Sequence, residues 1–189
     1  MIRQKEKGNQ SMNLIRVTEE NIEEAVSVQK ELFPEESGRA NYEEAVSGVS
    51  GFEYYLVYKD GVCAGITGIY TYPDDPQSAW LGWFCIREEY RRRHLGSKTM
   101  TWFEETARER GFHFTRLYTD AKDNETAIAF YKANGYTPEP YLNPQDPASM
   151  EIEMLIFSKA IGNEPLVLWN NRNIHLTGQL VKQRKNRKE

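Results

Sequence analysis

The pair Asp60 and Gly61 restricts the fold of this chain more than any other feature. It separates two apolar strand patterns, residues 53–59 and 62–72, and an Asp-Gly pair is typical of the two-residue turn of an antiparallel hairpin. After the hairpin, strand and helix patterns alternate up to a last strand pattern at residues 150–157. This order predicts an α/β (α+β) fold, with a mixed sheet that carries helices on its faces.

Helix starts can be read from capping residues. Thr18 is predicted to cap a helix that Pro34 ends, and Asn41 with Glu44 three residues later is a capping-box signature for a helix over residues 42–49. The patterns further predict strands at 13–17, 79–86, 114–119 and 165–169, a loop at 73–78, a helix over 97–110 that buries Gly96, Met100, Phe103 and Ala107, and a helix that starts after Asn124 and ends at Gly135.

Length and charge divide the chain. The 189 residues suit one domain with an appendage: a polar segment 1–12 that we expect to be disordered, a domain over 13–160, and a C-terminal extension 161–189 with a basic tail. The net charge is −4, and the last eight residues carry +4, which leaves −8 for the remainder. Nonspecific nucleic-acid binding by the body is therefore disfavoured. We interpret the tail as a solvated terminus, with RNA or ribosome association as the alternative.

Several classes of protein are disfavoured by what the sequence lacks. No run approaches a membrane span and the N-terminus has no apolar signal core, so we expect a cytoplasmic protein. Cys63 and Cys85 both lie in apolar strand patterns and are predicted to be buried thiols. The three histidines are scattered, so no metal site is expected.

A crowded positive charge marks the turn at residues 89–98, between a strand pattern and a helix pattern. Arg91, Arg92 and Arg93 precede a helix N-terminus, which already carries partial positive charge. The arrangement is favourable if a multiply charged anion is bound there by backbone N–H groups and guanidinium groups. The alternative is a solvated basic turn.

Residues 86–97 place three arginines just before Gly96, and residues 124–136 combine Asn124, Ala127, the pair Phe130-Tyr131 and Gly135. These two segments together resemble the GNAT superfamily of acyl-CoA-dependent N-acetyltransferases. Residues 86–97 are similar to its coenzyme A pyrophosphate loop, an Arg/Gln-x-x-Gly-x-Gly/Ala pattern, and residues 124–136 to its Asn-x-x-Ala-x-x-Phe-Tyr-x-x-x-Gly-Phe segment. The resemblance covers residues 13–159. It implies a mostly antiparallel sheet of about six or seven strands, an N-acetyltransferase domain over 13–160, and acetyl-CoA as cosubstrate without a metal.

The same resemblance implies which residues bind the coenzyme. Asn124 has a second interpretation, as a purely structural helix cap. His94 stands where the family pattern has its first glycine, so it either supplies only its N–H group or adds a side-chain donor to a phosphate. The implied coenzyme residues are Phe84, Cys85, Ile86, Arg91, Arg92, Arg93, His94, Leu95, Gly96, Ser97, Asn124 and Tyr131.

Tyr131 matches the family tyrosine that protonates the departing thiolate, so the resemblance assigns it as the catalytic general acid. The alternative is a core aromatic residue. The strand at 79–84 contains no carboxylate, so the general base stays unassigned among Glu53, Asp120 and a water chain. An acylated nucleophile at Cys85 is a further alternative.

The acceptor is predicted from three loops, 34–42, 73–78 and 137–150, which we expect to form an acidic rim that attracts a cationic amine. That amine is a small molecule or a peptide. The competing hypothesis for the function is an acyl-CoA sensor with little catalysis. A homodimer is considered as the oligomeric state. The residues concerned are Glu35, Glu36, Asp74, Asp75, Glu139 and Asp146 in the rim, with Tyr42, Tyr72, Trp80 and Tyr141 either lining the pocket or only packing.

Overall fold

The computed structural model describes residues 12–34, 36–48, 51–73, 75–141 and 154–169. The predicted acidic residues Glu35, Asp74 and Asp146, the basic tail and residues 1–11 lie outside the described residues. The elements are β1 (Met12–Arg16), α1 (Ile22–Leu32), α2 (Arg39–Val46), β2 (Phe52–Lys59), β3 (Val62–Tyr72), β4 (Asp75–Ile86), a 3₁₀ turn (Glu88–Tyr90), α3 (Leu95–Glu109), β5 (Phe114–Asp120), α4 (Glu125–Ala133), β6 (Thr137–Pro140) and β7 (Met154–Ala160).

The described strands form one sheet in the order β1-β2-β3-β4-β5-β7-β6. Its neighbours are antiparallel except β4 and β5, which run parallel because α3 carries the chain across between them. The Asp60-Gly61 hairpin joins β2 to β3 as predicted. The predicted mixed, mostly antiparallel sheet is therefore confirmed.

Apolar stripes place helices on both faces. On one face Met100, Phe103 and Ala107 of α3 pack with Leu117 and Phe157 of the sheet, which confirms the predicted stripe except at Gly96, which is half-buried. On the other face, Ala25 and Val28 of α1 and Tyr42 of α2 pack against the sheet residues Leu56 and Ile66.

Two predicted helix caps are wrong. The first helix begins after Asn21, whose side-chain oxygen accepts a hydrogen bond from the N–H of Thr18 at 2.8 Å. The second begins at Arg39, so Asn41 lies inside it. Gln29 gives the physical reason, since its buried amide donates to the carbonyls of Phe33 and Glu36 and so shapes the loop that leads into α2.

Residues 165–169 form no strand, so that prediction is also wrong. They form irregular chain, and Trp169 is buried edge-on against Trp80 with ring centroids 5.0 Å apart. Arg116 of β5 holds this segment through a hydrogen bond from its Nη2 to the carbonyl of Val167 at 2.8 Å. The guanidinium is fully buried beside the carboxylate of Asp75, which begins β4 where a loop was predicted.

Candidate active site

A cleft of about 1220 Å³ opens where β4 and β5 diverge. The two strands pair only from Ser78 to Trp80, so the second half of β4 has no β5 partner among the described residues. The cleft has a basic end at the start of α3, a middle stretch along β4, and an aromatic end. All the coenzyme residues implied by the sequence line it except Arg93, which lies on a smaller pocket with Lys59 and Lys98.

The basic end consists mainly of backbone. In the part of the chain that the structure describes, no backbone carbonyl accepts a hydrogen bond from the N–H groups of residues 92–97. Positive φ angles at Arg92 (58°) and His94 (60°) curl the chain there, and such turns place successive N–H groups around an anion. Together with the N-terminus of α3, this turn is suited to a phosphate group.

The side chain of Arg91 is held by contacts with the end of β4. Its Nε donates to the carbonyl of Ile86 at 2.8 Å, and its Nη2 lies 3.8 Å from Sγ of Cys85. It therefore ties the turn to the end of β4. Arg91 and Arg92 are both exposed and both line the cleft. They differ in that Arg92 has no hydrogen bond to another described residue.

The middle of the cleft follows a β-bulge. Trp83 and Phe84 together face Thr67 of β3, because Ile66 pairs with Cys85 and Gly68 pairs with Gly82. Trp83 has a φ of 25°, which marks the irregularity in the backbone. The unpaired β5 side of β4 thus offers N–H and C=O groups that an extended, amide-bearing ligand can bind like an added strand.

Tyr131 lies on this middle stretch, on α4. Its ring packs 5.4 Å from that of Phe157, and only 7% of the residue is exposed. Burial raises the pKa of Tyr131 above its ordinary value of about 10, and the nearby Cys85 thiol raises it further. The phenol is therefore a proton donor, in its neutral form, across the neutral and mildly alkaline range.

Asn124 lines the cleft and begins α4, but its side chain does not cap the helix. Instead its amide donates to the hydroxyl of Thr119 at the end of β5. Asn124 is therefore the N-cap residue of α4 by position, as predicted, but its side chain makes no capping hydrogen bond. The side chain therefore links α4 to β5, which lies across the cleft from the unpaired half of β4.

Two alternatives from the sequence lose support. Glu53 lies outside the cleft, and its carboxylate accepts two hydrogen bonds of 3.0 Å from Arg110. Burial raises the pKa of Glu53, but the hydrogen bonds from Arg110 and Tyr55 lower it more, so the pKa lies below its ordinary value. Burial raises the pKa of the Cys85 thiol despite the neighbouring Arg91, which disfavours a reactive thiolate. Asp120, at the end of β5, does line the cleft.

The aromatic end was not predicted. Tyr42, Tyr72, Trp80 and Tyr141 do not line the cleft. The expected acidic rim is also wrong for two described members, because Asp75 and Glu139 are buried, Asp75 beside Arg116 and Glu139 on the backbone N–H of Trp169. The residues that do line this end are Phe33, Glu36, Phe52, Tyr54, Tyr70, Trp83 and Tyr118.

Residues 16–136 match the acetyltransferase (GNAT) family. The chain belongs to this family. The match includes the basic turn, the unpaired half of β4 and Tyr131, and it confirms the resemblance found in the two motifs. No curated protein sequence matches the chain.

Solved GNAT structures share the fold at low sequence identity. The chain is similar to the ribosomal-protein-S18-alanine N-acetyltransferase from Escherichia coli (15% identity, 84% of this chain and 99% of that one, TM-score 0.62). It is also similar to the PaiA N-acetyltransferase from Thermoplasma acidophilum in complex with coenzyme A (15%, 79% and 99%, 0.61). A third similar structure is an aminoglycoside 6'-N-acetyltransferase complexed with coenzyme A. It is 15% identical, the match covers 82% of this chain and 99% of that one, and the TM-score is 0.63. These likenesses show a GNAT fold.

The described residues lack two further features. Among them, no helix is long and apolar enough to cross a membrane. The same residues contain no group of three or more His, Cys, Asp or Glu side chains placed to hold a metal ion.

Proposed function

We propose that this GNAT protein transfers an acetyl group from acetyl-CoA to a primary amine of a small molecule or peptide, by direct attack in a ternary complex. The observation that carries the proposal is one continuous cleft. It joins the N–H-rich turn at residues 92–97, the unpaired half of β4 and the phenol of Tyr131. Two relatives of the same fold are complexed with coenzyme A, which supports this cosubstrate.

In this proposal the basic end binds the pyrophosphate. The N–H groups of residues 92–97 donate to its oxygens, and Arg92 adds positive charge from the cleft wall. Phe84, Cys85 and Ile86 pair through their backbones with the amides of the pantetheine arm. Asn124 faces the same arm from the other wall.

The chemistry is a single acyl transfer. The neutral amine attacks the thioester carbonyl, a C–N bond forms, and the C–S bond of the tetrahedral intermediate then breaks. Tyr131 donates its proton to the departing sulfur, whose thiol has a pKa near that of cysteine. The amine proton leaves through Asp120 or through water, and a proton returned from water restores the Tyr131 phenol. Holding both reactants in one cleft lowers the entropic part of the barrier.

A sensor of acyl-CoA is the second candidate. It is favoured by His94 in place of a glycine and by the absence of a carboxylate from the described strand β4 after Asp75. Both functions require coenzyme binding, so only turnover separates them.

Coenzyme A and acetyl-CoA are expected to raise the melting temperature of the protein. A ligand at about 100 times its dissociation constant stabilises a fold by roughly 2.7 kcal/mol. Thiol release from acetyl-CoA is then measured against a panel of amines. Stabilisation with thiol release supports the transferase, stabilisation without release from any amine supports the sensor, and no stabilisation contradicts both.

His94→Gly is expected to leave coenzyme affinity unchanged or improve it. A histidine at φ 60° is strained by about 1 kcal/mol, which glycine relieves, although glycine also gains freedom in the unfolded chain. Asp60→Gly, at φ 51° in the hairpin, is the matched control for stability. Isothermal titration measures the affinity. A tenfold loss in His94→Gly but not in Asp60→Gly would instead assign the imidazole as a phosphate donor.

A further inference from the structure

The aromatic end of the cleft is a continuous wall of stacked rings. Trp83 stacks on Tyr54 with centroids 5.2 Å apart and planes at 28°. Tyr54 is followed by Phe52 at 6.3 Å, and Phe52 by Tyr70 at 4.7 Å with planes at 12°. We call these four residues the aromatic wall. All of them line the cleft, and Phe33 and Tyr118 extend its apolar surface.

Two glycines make room for two rings of the aromatic wall, Tyr54 and Tyr70. Gly68 of β3 and Gly82 of β4 are paired across the strands. A Cβ at Gly68 would come within 2.8 Å of Cδ1 of Tyr54, and one at Gly82 within 3.3 Å of Cδ1 of Tyr70. The absence of both side chains therefore lets the rings of Tyr54 and Tyr70, which are buried, approach the backbone.

Two carboxylates, those of Glu36 and Asp120, line the cleft near the aromatic wall. Nε1 of Trp83 donates to Oε2 of Glu36 at 2.6 Å, which fixes a carboxylate at the margin of the aromatic wall. Asp120 lies at the end of β5 on the same cleft. A carboxylate at this position attracts an ammonium group before it loses its proton.

We propose that the acceptor is a primary amine carried on an aromatic ring, or on a flat apolar body of similar size, which packs on the aromatic wall. The inference rests on the proposed acetyl transfer and names its substrate class. An arylalkylamine presents one amino group and buries its ring. A polyamine or a polyhydroxylated amino sugar would instead bring more polar groups to this end than the tyrosine hydroxyls and the Glu36 carboxylate of its lining can bind.

The first experiment compares two amines of similar reach, 2-phenylethylamine and 1,4-diaminobutane, as acceptors. Burial of one aromatic ring is expected to raise kcat/KM for the aryl amine at least tenfold over the diamine. A preference for the diamine overturns the inference while the proposed acetyl transfer stands. A protein that acetyl-CoA does not stabilise overturns the transfer itself, and with it the inference.

A pair of matched variants tests the wall. Trp83→Leu is expected to raise KM for 2-phenylethylamine about tenfold and to leave KM for acetyl-CoA unchanged. Trp102→Leu is the control, since Trp102 is also half-buried and packs on a tyrosine, Tyr55 at 4.7 Å, but lies outside the cleft. If Trp83→Leu does not fold, Trp83→Phe keeps a ring and should raise KM by a smaller factor. Equal effects of Trp83→Leu and Trp102→Leu on both substrates overturn the inference.

Discussion

Replacing Tyr131 by phenylalanine is expected to lower kcat by about 100-fold or more and to leave the dissociation constant of acetyl-CoA nearly unchanged. A positioned general acid contributes about 10²–10⁴-fold, and the ring that packs on Phe157 is retained. Stopped assays of thiol release and isothermal titration measure the two quantities. Because burial raises the pKa of Tyr131, kcat of the parent protein should not fall with pH before about pH 10 through loss of this proton.

Tyr136→Phe is the matched control. Tyr136 is also buried, and its hydroxyl donates to Oγ1 of Thr115 at 3.0 Å, but it does not line the cleft. This variant should lose about 1 kcal/mol of stability and keep its kcat. Equal kcat in Tyr131→Phe and the parent protein would remove Tyr131 from the chemistry. If neither releases thiol from acetyl-CoA although both bind it, the sensor is the better description.

Arg116→Met is expected to lower the free energy of unfolding by about 3–5 kcal/mol, the largest stability effect anticipated here. The side chain is fully buried, with Nε 3.6 Å from Oδ2 of Asp75 and 3.0 Å from Oγ of Ser78. Removing the guanidinium leaves the Asp75 carboxylate buried without its countercharge, which is the costly way to break a buried pair. The free energy of unfolding of a whole domain is only about 5–15 kcal/mol, so urea denaturation at low temperature should show the loss clearly.

Arg108→Met supplies the comparison. Arg108 also reaches the C-terminal segment, through a hydrogen bond of 3.0 Å from its Nε to the carbonyl of Ile161, but its side chain is exposed. It should cost less than about 1 kcal/mol. The double variant Arg116→Met with Asp75→Asn should regain part of the loss, because the unpaired charge disappears with its partner. Similar losses in Arg116→Met and Arg108→Met would mean that the buried pair adds no stability.

Local patterns predicted most of the elements. The β3 strand has the predicted bounds, and the Asp60-Gly61 turn joins the predicted strands. Periods of two and of 3.6 residues report which side of an element is buried, and this is a property of neighbouring residues. Caps were predicted less well, because Gln29, a side chain from the preceding helix, shapes the approach to α2.

The basic end of the cleft could be predicted for the same reason. Its residues are contiguous from Arg91 to Ser97, and one turn before one helix determines where their N–H groups lie. The aromatic wall could not be predicted as a wall. Phe52 and Tyr54 alternate on β2, but their stacking with Tyr70 and Trp83 depends on the register of three strands and on a bulge.

The sequence by itself determined the order of strands and helices, the basic turn before α3, the family resemblance and the position of Tyr131 on a helix. Only the tertiary structure decided that β4 and β5 separate after Trp80, that Glu53 lies outside the cleft, and that Asp75 is buried beside Arg116. The physical reason is distance along the chain. Burial and charge pairing between residues some forty apart arise from packing, and local sequence patterns carry no record of it.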